Sequence, residues 1–260
     1  MFKTLFYAST SILLVLFYLN AHAENPRFIT SHFSGSDICA DCHDGLTDIN
    51  GENVSIARDW GASMMANSTK DPLWRAKLAT EMERNPHLTD TMSDVCTKCH
   101  APMANFELTK VQGKGVSLFG PNGILDRGND LHDAALNGVS CTFCHQIMDD
   151  PNLGSMPSFS GSYTINDTKT IYGQYSGVFR RPMQRFSGFT PVYSAHVSDS
   201  ALCAVCHNLK TPFVDADGTV VSTTPDSEFT EQMPYTEWEN SIFDDAGSNP
   251  QSCQDCHMPK

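Results

Sequence analysis

The sequence predicts a mainly α fold with extensive coil, in which short helices surround a repeated thiol- and imidazole-bearing motif. Three observations predict it. Strong apolar periodicity is rare, and apolar runs are short and scattered. Glycine and proline are frequent, at 17 and 14 of 260 residues. All ten cysteines fall into five pairs of the form C-x-x-C-H.

The chain opens on a segment that reads as a secretory signal peptide over residues 1–23. Lys3 supplies the positive region, Leu5 to Leu19 the apolar one, and Ala21-His22-Ala23 the small-x-small cleavage pattern. The alternative is an uncleaved anchor, but a run of about 15 apolar residues falls short of the roughly 20 that span a bilayer. No cysteine follows until Cys39, so nothing marks a lipoprotein. The expectation is a single domain over 24–260, not inserted in the membrane after cleavage. It is placed in the periplasm, with the cell surface or the exterior as alternatives. A net charge of −13 argues against nucleic acid and anionic membrane surfaces as partners.

The five pairs are Cys39 and Cys42 before His43, Cys96 and Cys99 before His100, Cys141 and Cys144 before His145, Cys203 and Cys206 before His207, and Cys253 and Cys256 before His257. A disulfide scaffold or zinc knuckles would also use paired cysteines. Neither needs a histidine after every pair. At this chain's histidine frequency, five coincidences have a chance on the order of one in ten million. The pattern is the attachment signature of haem c, so five covalently bound haems are expected. Two intervening residues let both thiols reach the two vinyl groups of one porphyrin, and the next residue turns its imidazole to the iron. The other ring nitrogen then needs a partner, usually a backbone carbonyl. Buried porphyrin would also supply the apolar surface that the sequence lacks, and the haem propionates would add acidity.

Four histidines remain as distal ligands once His22 leaves with the signal peptide: His32, His87, His132 and His196. His32 and His196 each precede a motif's first cysteine by seven residues, in two copies of H-x-S-x-S-x-[Ile/Leu]-C-A-x-C-H; His87 and His132 each precede one by nine. Five irons and four histidines leave at least one iron without a second imidazole. It takes a methionine, binds a weak ligand or water, or receives a ligand from another chain. Met65 and Met64 lead among the methionines, within Trp60-Gly-Ala-Ser63-Met64-Met65, which is echoed by Trp238-Glu-Asn-Ser241. Met103, Met233 and Met258 are weaker candidates.

Elsewhere, Asp71-Pro72 opens a helix with Trp74, Leu78 and Met82 on one face, stopped by Asn85-Pro86. Short helices are expected to carry each motif. Asp215 to Gly218 reads as the turn of a small β-hairpin, since the later ligands of a calcium loop are missing. Arg180, Arg181 and Arg185 form a basic cluster that either pairs with haem propionates or is a solvated patch.

Trp60 to Met65 with Lys70-Asp71-Pro72, Cys96 to Pro102, Gly138 to His145, Leu202 to Asn208, Tyr235 to Ser241 and Cys253 to Pro259 together resemble the multihaem cytochrome c group related to the tetrahaem cytochromes of nitrifying bacteria. The resemblance implies a haem-packed multihaem cytochrome c fold. Similar proteins usually continue beyond the Cys-His-Met-Pro element, in a stretch that supplies histidines. A shortened member or an incomplete reading frame would each account for the missing fifth distal histidine without catalysis.

So dense a set of haems leaves too little protein to insulate them from one another. The expected function is therefore electron transfer, with redox proteins as donor and acceptor. Two alternatives stand beside it. One is a reductase or oxidase of a small nitrogen or sulfur compound at the iron lacking a second histidine, and the other is a subunit of a haem filament in which a neighbouring chain donates the ligand.

Overall fold

The structure is a computed structural model that describes residues 27–258 except 223, 225 and 226. The expected signal peptide lies outside the described residues. In chain order the helices are α1 (Ser36–His43), α2 (Ile56–Gly61), α3 (Met64–Asn67), α4 (Pro72–Arg84), α5 (Thr89–His100), α6 (Pro102–Phe106), α7 (His132–Leu136), α8 (Cys141–Cys144), α9 (Arg180–Ser187), α10 (Ala201–His207), α11 (Pro234–Glu239) and α12 (Cys253–His257). Four short strands join them: β1 (Thr170–Gly173), β2 (Thr190–Tyr193), β3 (Leu209–Thr211) and β4 (Phe229–Gln232). The expected mainly α fold with extensive coil is what the chain adopts.

Each C-x-x-C-H sits on a short helix, with His145 just past the end of α8. α4 shows why the local reading works. The Asp71 carboxylate accepts from the Leu73 N–H, Pro72 occupies the first turn where its missing N–H costs nothing, and Asn85 ends the helix before Pro86. Leu78 and Met82 are buried, and Trp74 packs against the same cluster. α12 is closed by a capping box between Ser252 and Asp255.

β1 and β2 pair in parallel from Thr170 opposite Thr190 to Gly173 opposite Tyr193, with α9 in the crossover. β3 and β4 pair antiparallel. The turn at Asp215 to Gly218 is present, closed by a bridge between Val214 and Val220 and by the Gly218 N–H on the Asp215 carbonyl at 3.0 Å.

The core is lopsided. Phe33, Leu78, Met103, Leu118, Ile124, Phe143, Ile147 and Ile165 form its centre, whereas the chain beyond residue 165 adds Val205 to the buried cluster. Phe179 and Phe186 on the α9 segment are 90% and 79% exposed, and Ile49 is fully exposed. The helices that hold the motifs in the second half therefore rest on each other and on hydrogen bonds more than on a protein core.

Candidate haem-attachment sites

Local structure first places both thiols of a motif within one helical turn, with the histidine at the helix's end. All ten cysteines are free thiols. Tertiary structure then brings motifs from distant stretches together in a specific set. The Cys39 thiol is hydrogen-bonded to Cys141, Cys99 to Cys206, and Cys203 to Cys253. Within each pair one thiol holds the shared proton and rises, while its partner falls: Cys253, accepting from Cys203, comes down to about 6. Cys144 has no such partner, and burial pushes it up to about 12.

Two of these contacts are copies of one design. In the first unit, Thr142 of the third motif donates its hydroxyl to the Ser34 carbonyl at 3.0 Å, and Ser36 and Asn137 hydrogen-bond across the same seam. In the second, Gln254 of the fifth motif donates to the Val197 and Asp199 carbonyls at 3.2 and 2.8 Å, and the Cys253 N–H donates to the Ser200 hydroxyl at 3.0 Å. Thr142 and Gln254 occupy the same place in C-x-x-C-H, and the loops they grip are the two H-x-S-x-S repeats. The W-x-x-S echo has the same meaning. The Trp60 indole N–H donates to the Val139 carbonyl at 2.9 Å and the Trp238 indole to Gln251 at 2.8 Å, each two residues before a motif's first cysteine.

The second and fourth motifs meet across the units. The segment after Phe159 is clamped between them, since the Tyr163 hydroxyl donates to the Lys98 carbonyl at 3.2 Å and the Gly161 N–H to Val205 at 2.7 Å.

Two motif histidines are held as an iron ligand would need. His100 Nδ1 lies 3.2 Å from the Ser68 carbonyl, and His145 Nδ1 lies 2.7 Å from that of Tyr172. A carbonyl can only accept, so Nδ1 carries the proton and Nε2 is the nitrogen left for a metal. Both bonds are answered in reverse: the Ser68 hydroxyl donates to the His100 carbonyl at 2.8 Å, and the Tyr172 N–H to the His145 carbonyl at 2.7 Å. His43, His207 and His257 are exposed and, among the described residues, make no ring hydrogen bond.

The candidate distal histidines divide. His132 is half-buried with Nδ1 3.2 Å from the Ile124 carbonyl, which again leaves Nε2 for iron. His196 is buried with Nε2 2.9 Å from the Ile147 carbonyl and Nδ1 2.7 Å from the Ser194 hydroxyl, so that, unlike His132, it has both ring nitrogens engaged in this arrangement; its ring packs edgewise with Tyr172. His32 lies between Glu107 at 3.6 Å and Asp167 at 3.2 Å. His87 is exposed near Asp217. Of the methionines, Met64 is 69% exposed and Met65 half-buried, its carbonyl accepting from the Val139 N–H at 2.9 Å. Gly138, at φ +60°, makes that approach possible, because a side chain there would strike the Met65 carbonyl. Met103 is fully buried with its sulfur 3.8 Å from the Thr142 hydroxyl.

The residues fit covalent haem. Five motifs each offer two free thiols and one imidazole, and two of those imidazoles have the expected tautomer. Three buried side-chain oxygens without a hydrogen-bond partner among the described residues, Oγ of Ser140 and Oε1 of Gln146 and of Gln254, lie beside or within the third and fifth motifs. Sequence reasoning missed Ser68, Thr69, Tyr172, Asn137 and Gln254 as supports. The repeats could have signalled Gln254 through its match to Thr142, whereas nothing local marks Tyr172.

No family model matches the chain, and no curated protein gives a significant match. Among solved structures it is similar to a penta-haem cytochrome c552 from Thermochromatium tepidum, at 17% identity and a TM-score of 0.47. The alignment covers 88% of this chain and 54% of that one, so the chain spans about half the length of the structure it matches.

Proposed function

We propose that the chain is an exported pentahaem c-type cytochrome that carries electrons singly between a donor and an acceptor redox protein, in the periplasm or at the cell surface. The observation that carries this reading is the pairing of thiols between motifs, first with third, second with fourth, and fourth with fifth, with Cys144 of the third near enough to Cys203 and Cys206 of the fourth to raise both electrostatically. Bound haem supplies one-electron chemistry between ferric and ferrous iron. The chain's own part is to hold the five attachment points against one another, since electron transfer slows steeply with distance. In this reading Cys39, Cys42, Cys96, Cys99, Cys141, Cys144, Cys203, Cys206, Cys253 and Cys256 attach the porphyrins. His43, His100, His145, His207 and His257 are proximal ligands, His32, His87, His132 and His196 distal ones, and Met65 or Met64 completes the set. Among the described residues no helix is long and apolar enough to cross a membrane.

The test is haem content of the secreted full chain together with low-temperature electron paramagnetic resonance of its oxidised form. Five haems, all low-spin, are expected, the histidine-ligated ones at low potentials and the methionine-ligated one higher. Five independent high-potential centres, all methionine-ligated, would sink the carrier reading. The imbalance of five irons against four spare histidines favours a second reading, reduction or oxidation of a small nitrogen or sulfur compound at the unmatched iron. One persistent high-spin haem that shifts on adding nitrite or sulfite would favour it.

A further inference from the structure

His100 is held unlike any other motif histidine. The Trp74 indole lies flat on its imidazole, with ring centroids 4.3 Å apart and planes 5° from parallel. Among the described residues, none of the other four motif histidines has an aromatic ring against it. The stack belongs to a continuous grip. The Ser68 carbonyl accepts from Nδ1, the Ser68 hydroxyl donates to the His100 carbonyl at 2.8 Å, and the Thr69 hydroxyl, with one proton to give, sits between the His100 and Ala135 carbonyls. Arg75 Nε donates to the Thr69 carbonyl at 2.6 Å, tying the first turn of α4 to the same loop. The Asp71 cap fixes that turn, and with it the approach of Trp74.

An axial imidazole can rotate about its bond to iron. The orientation of its plane over the porphyrin governs the magnetic anisotropy of a low-spin ferric centre. The hydrogen bond from its second nitrogen makes the ring more basic, which stabilises ferric iron and lowers the potential. A flat indole on one face of the ring blocks rotation and keeps Nδ1 aimed at Ser68.

Resting on the haem reading above, we propose that Trp74 is a positioning residue for the second motif's iron: stacked on His100, it sets the orientation of the axial imidazole and holds that one haem at a lower potential than it would otherwise have.

The test compares Trp74→Leu and Trp74→Phe with the parent in the holoprotein, by haem content, electron paramagnetic resonance and a spectroscopic redox titration. In Trp74→Leu one low-spin signal is expected to move and one midpoint potential to rise, the other four haems keeping theirs. Trp74→Phe, which can still stack, is expected to stay near the parent on both readouts. Five bound haems with every signal unchanged in Trp74→Leu would overturn the proposal while leaving the haem reading intact. A parent chain without covalent haem would overturn both. Should Trp74→Leu fail to mature, proton NMR of the reduced, diamagnetic parent decides: ring-to-ring Overhauser contacts between Trp74 and His100 are expected, and their absence overturns the stack.

Discussion

The two repeated units, one running from His32 to His145 and the other from His196 to His257, use the same parts for different amounts of packing. In both, an H-x-S-x-S loop leads into a motif helix, a tryptophan indole pins the backbone two residues before a second motif, and the first cysteines of the two motifs touch. Between tryptophan and second motif, however, the first unit inserts α3, α4, α5 with its own motif, α6 and α7, and most of the buried core lies there or beside it. The second unit passes from Trp238 to Cys253 through a short turn. The placing of the motifs is thus set by a small hydrogen-bonded frame that needs little core, and the added core in the first unit supports one further motif and the grip on His100.

The comparison can be broken most directly at equivalent motif positions. Phe143 is 1% exposed at the place where the fifth motif has Asp255, an exposed capping residue. Phe143→Ala is expected to cost about 3–5 kcal/mol and Asp255→Ala about 1 kcal/mol. Equal losses in chemical denaturation of the holoprotein would mean that both units depend on core to the same degree.

Smaller changes sharpen it. If the indole bonds are one device used twice, Trp60→Phe and Trp238→Phe should each cost about 1 kcal/mol, the worth of a hydrogen bond whose carbonyl is left unpaired. A large loss in one and none in the other would make the echo a coincidence of sequence.

The smallest effect concerns the insertion's surface. Backbone N–H groups of Gly128 and Asn122 hold the Asp126 carboxyl below its ordinary 3.8. Its folded pKa is depressed, so its contribution is present above 3.8 and lost as pH falls through the lower folded value. Asp126→Asn should therefore be less stable than the parent at neutral pH, with the gap closing as pH falls below 3.8. Denaturation midpoints at several pH values check this, and a gap independent of pH would show that charge plays no part.

Much of the site was legible in one dimension because its chemistry is local. Two thiols and an imidazole must share one turn of helix, so the motif writes itself as five adjacent residues, and the helices at those places follow. The α4 boundaries were equally plain from Asp71-Pro72 and Asn85-Pro86, since caps act over a single turn. The two repeats were visible as well, although their purpose was not: the sequence showed that Trp60 and Trp238 correspond, and the fold showed which carbonyls they hold.

What only the tertiary structure decided is the pairing of distant parts. That Cys39 meets Cys141, that Tyr172 brackets His145, and that Trp74 lies on His100 and not merely in the apolar stripe of α4 depend on contacts between residues far apart in the chain. Such contacts leave no period in the sequence, because they are chosen by how whole segments pack and by which buried polar groups find partners. By itself the sequence determined the five C-x-x-C-H motifs, the thiols and imidazole that each offers and the short helices that carry them; their neighbours, and the restraint on each motif histidine, came from the fold.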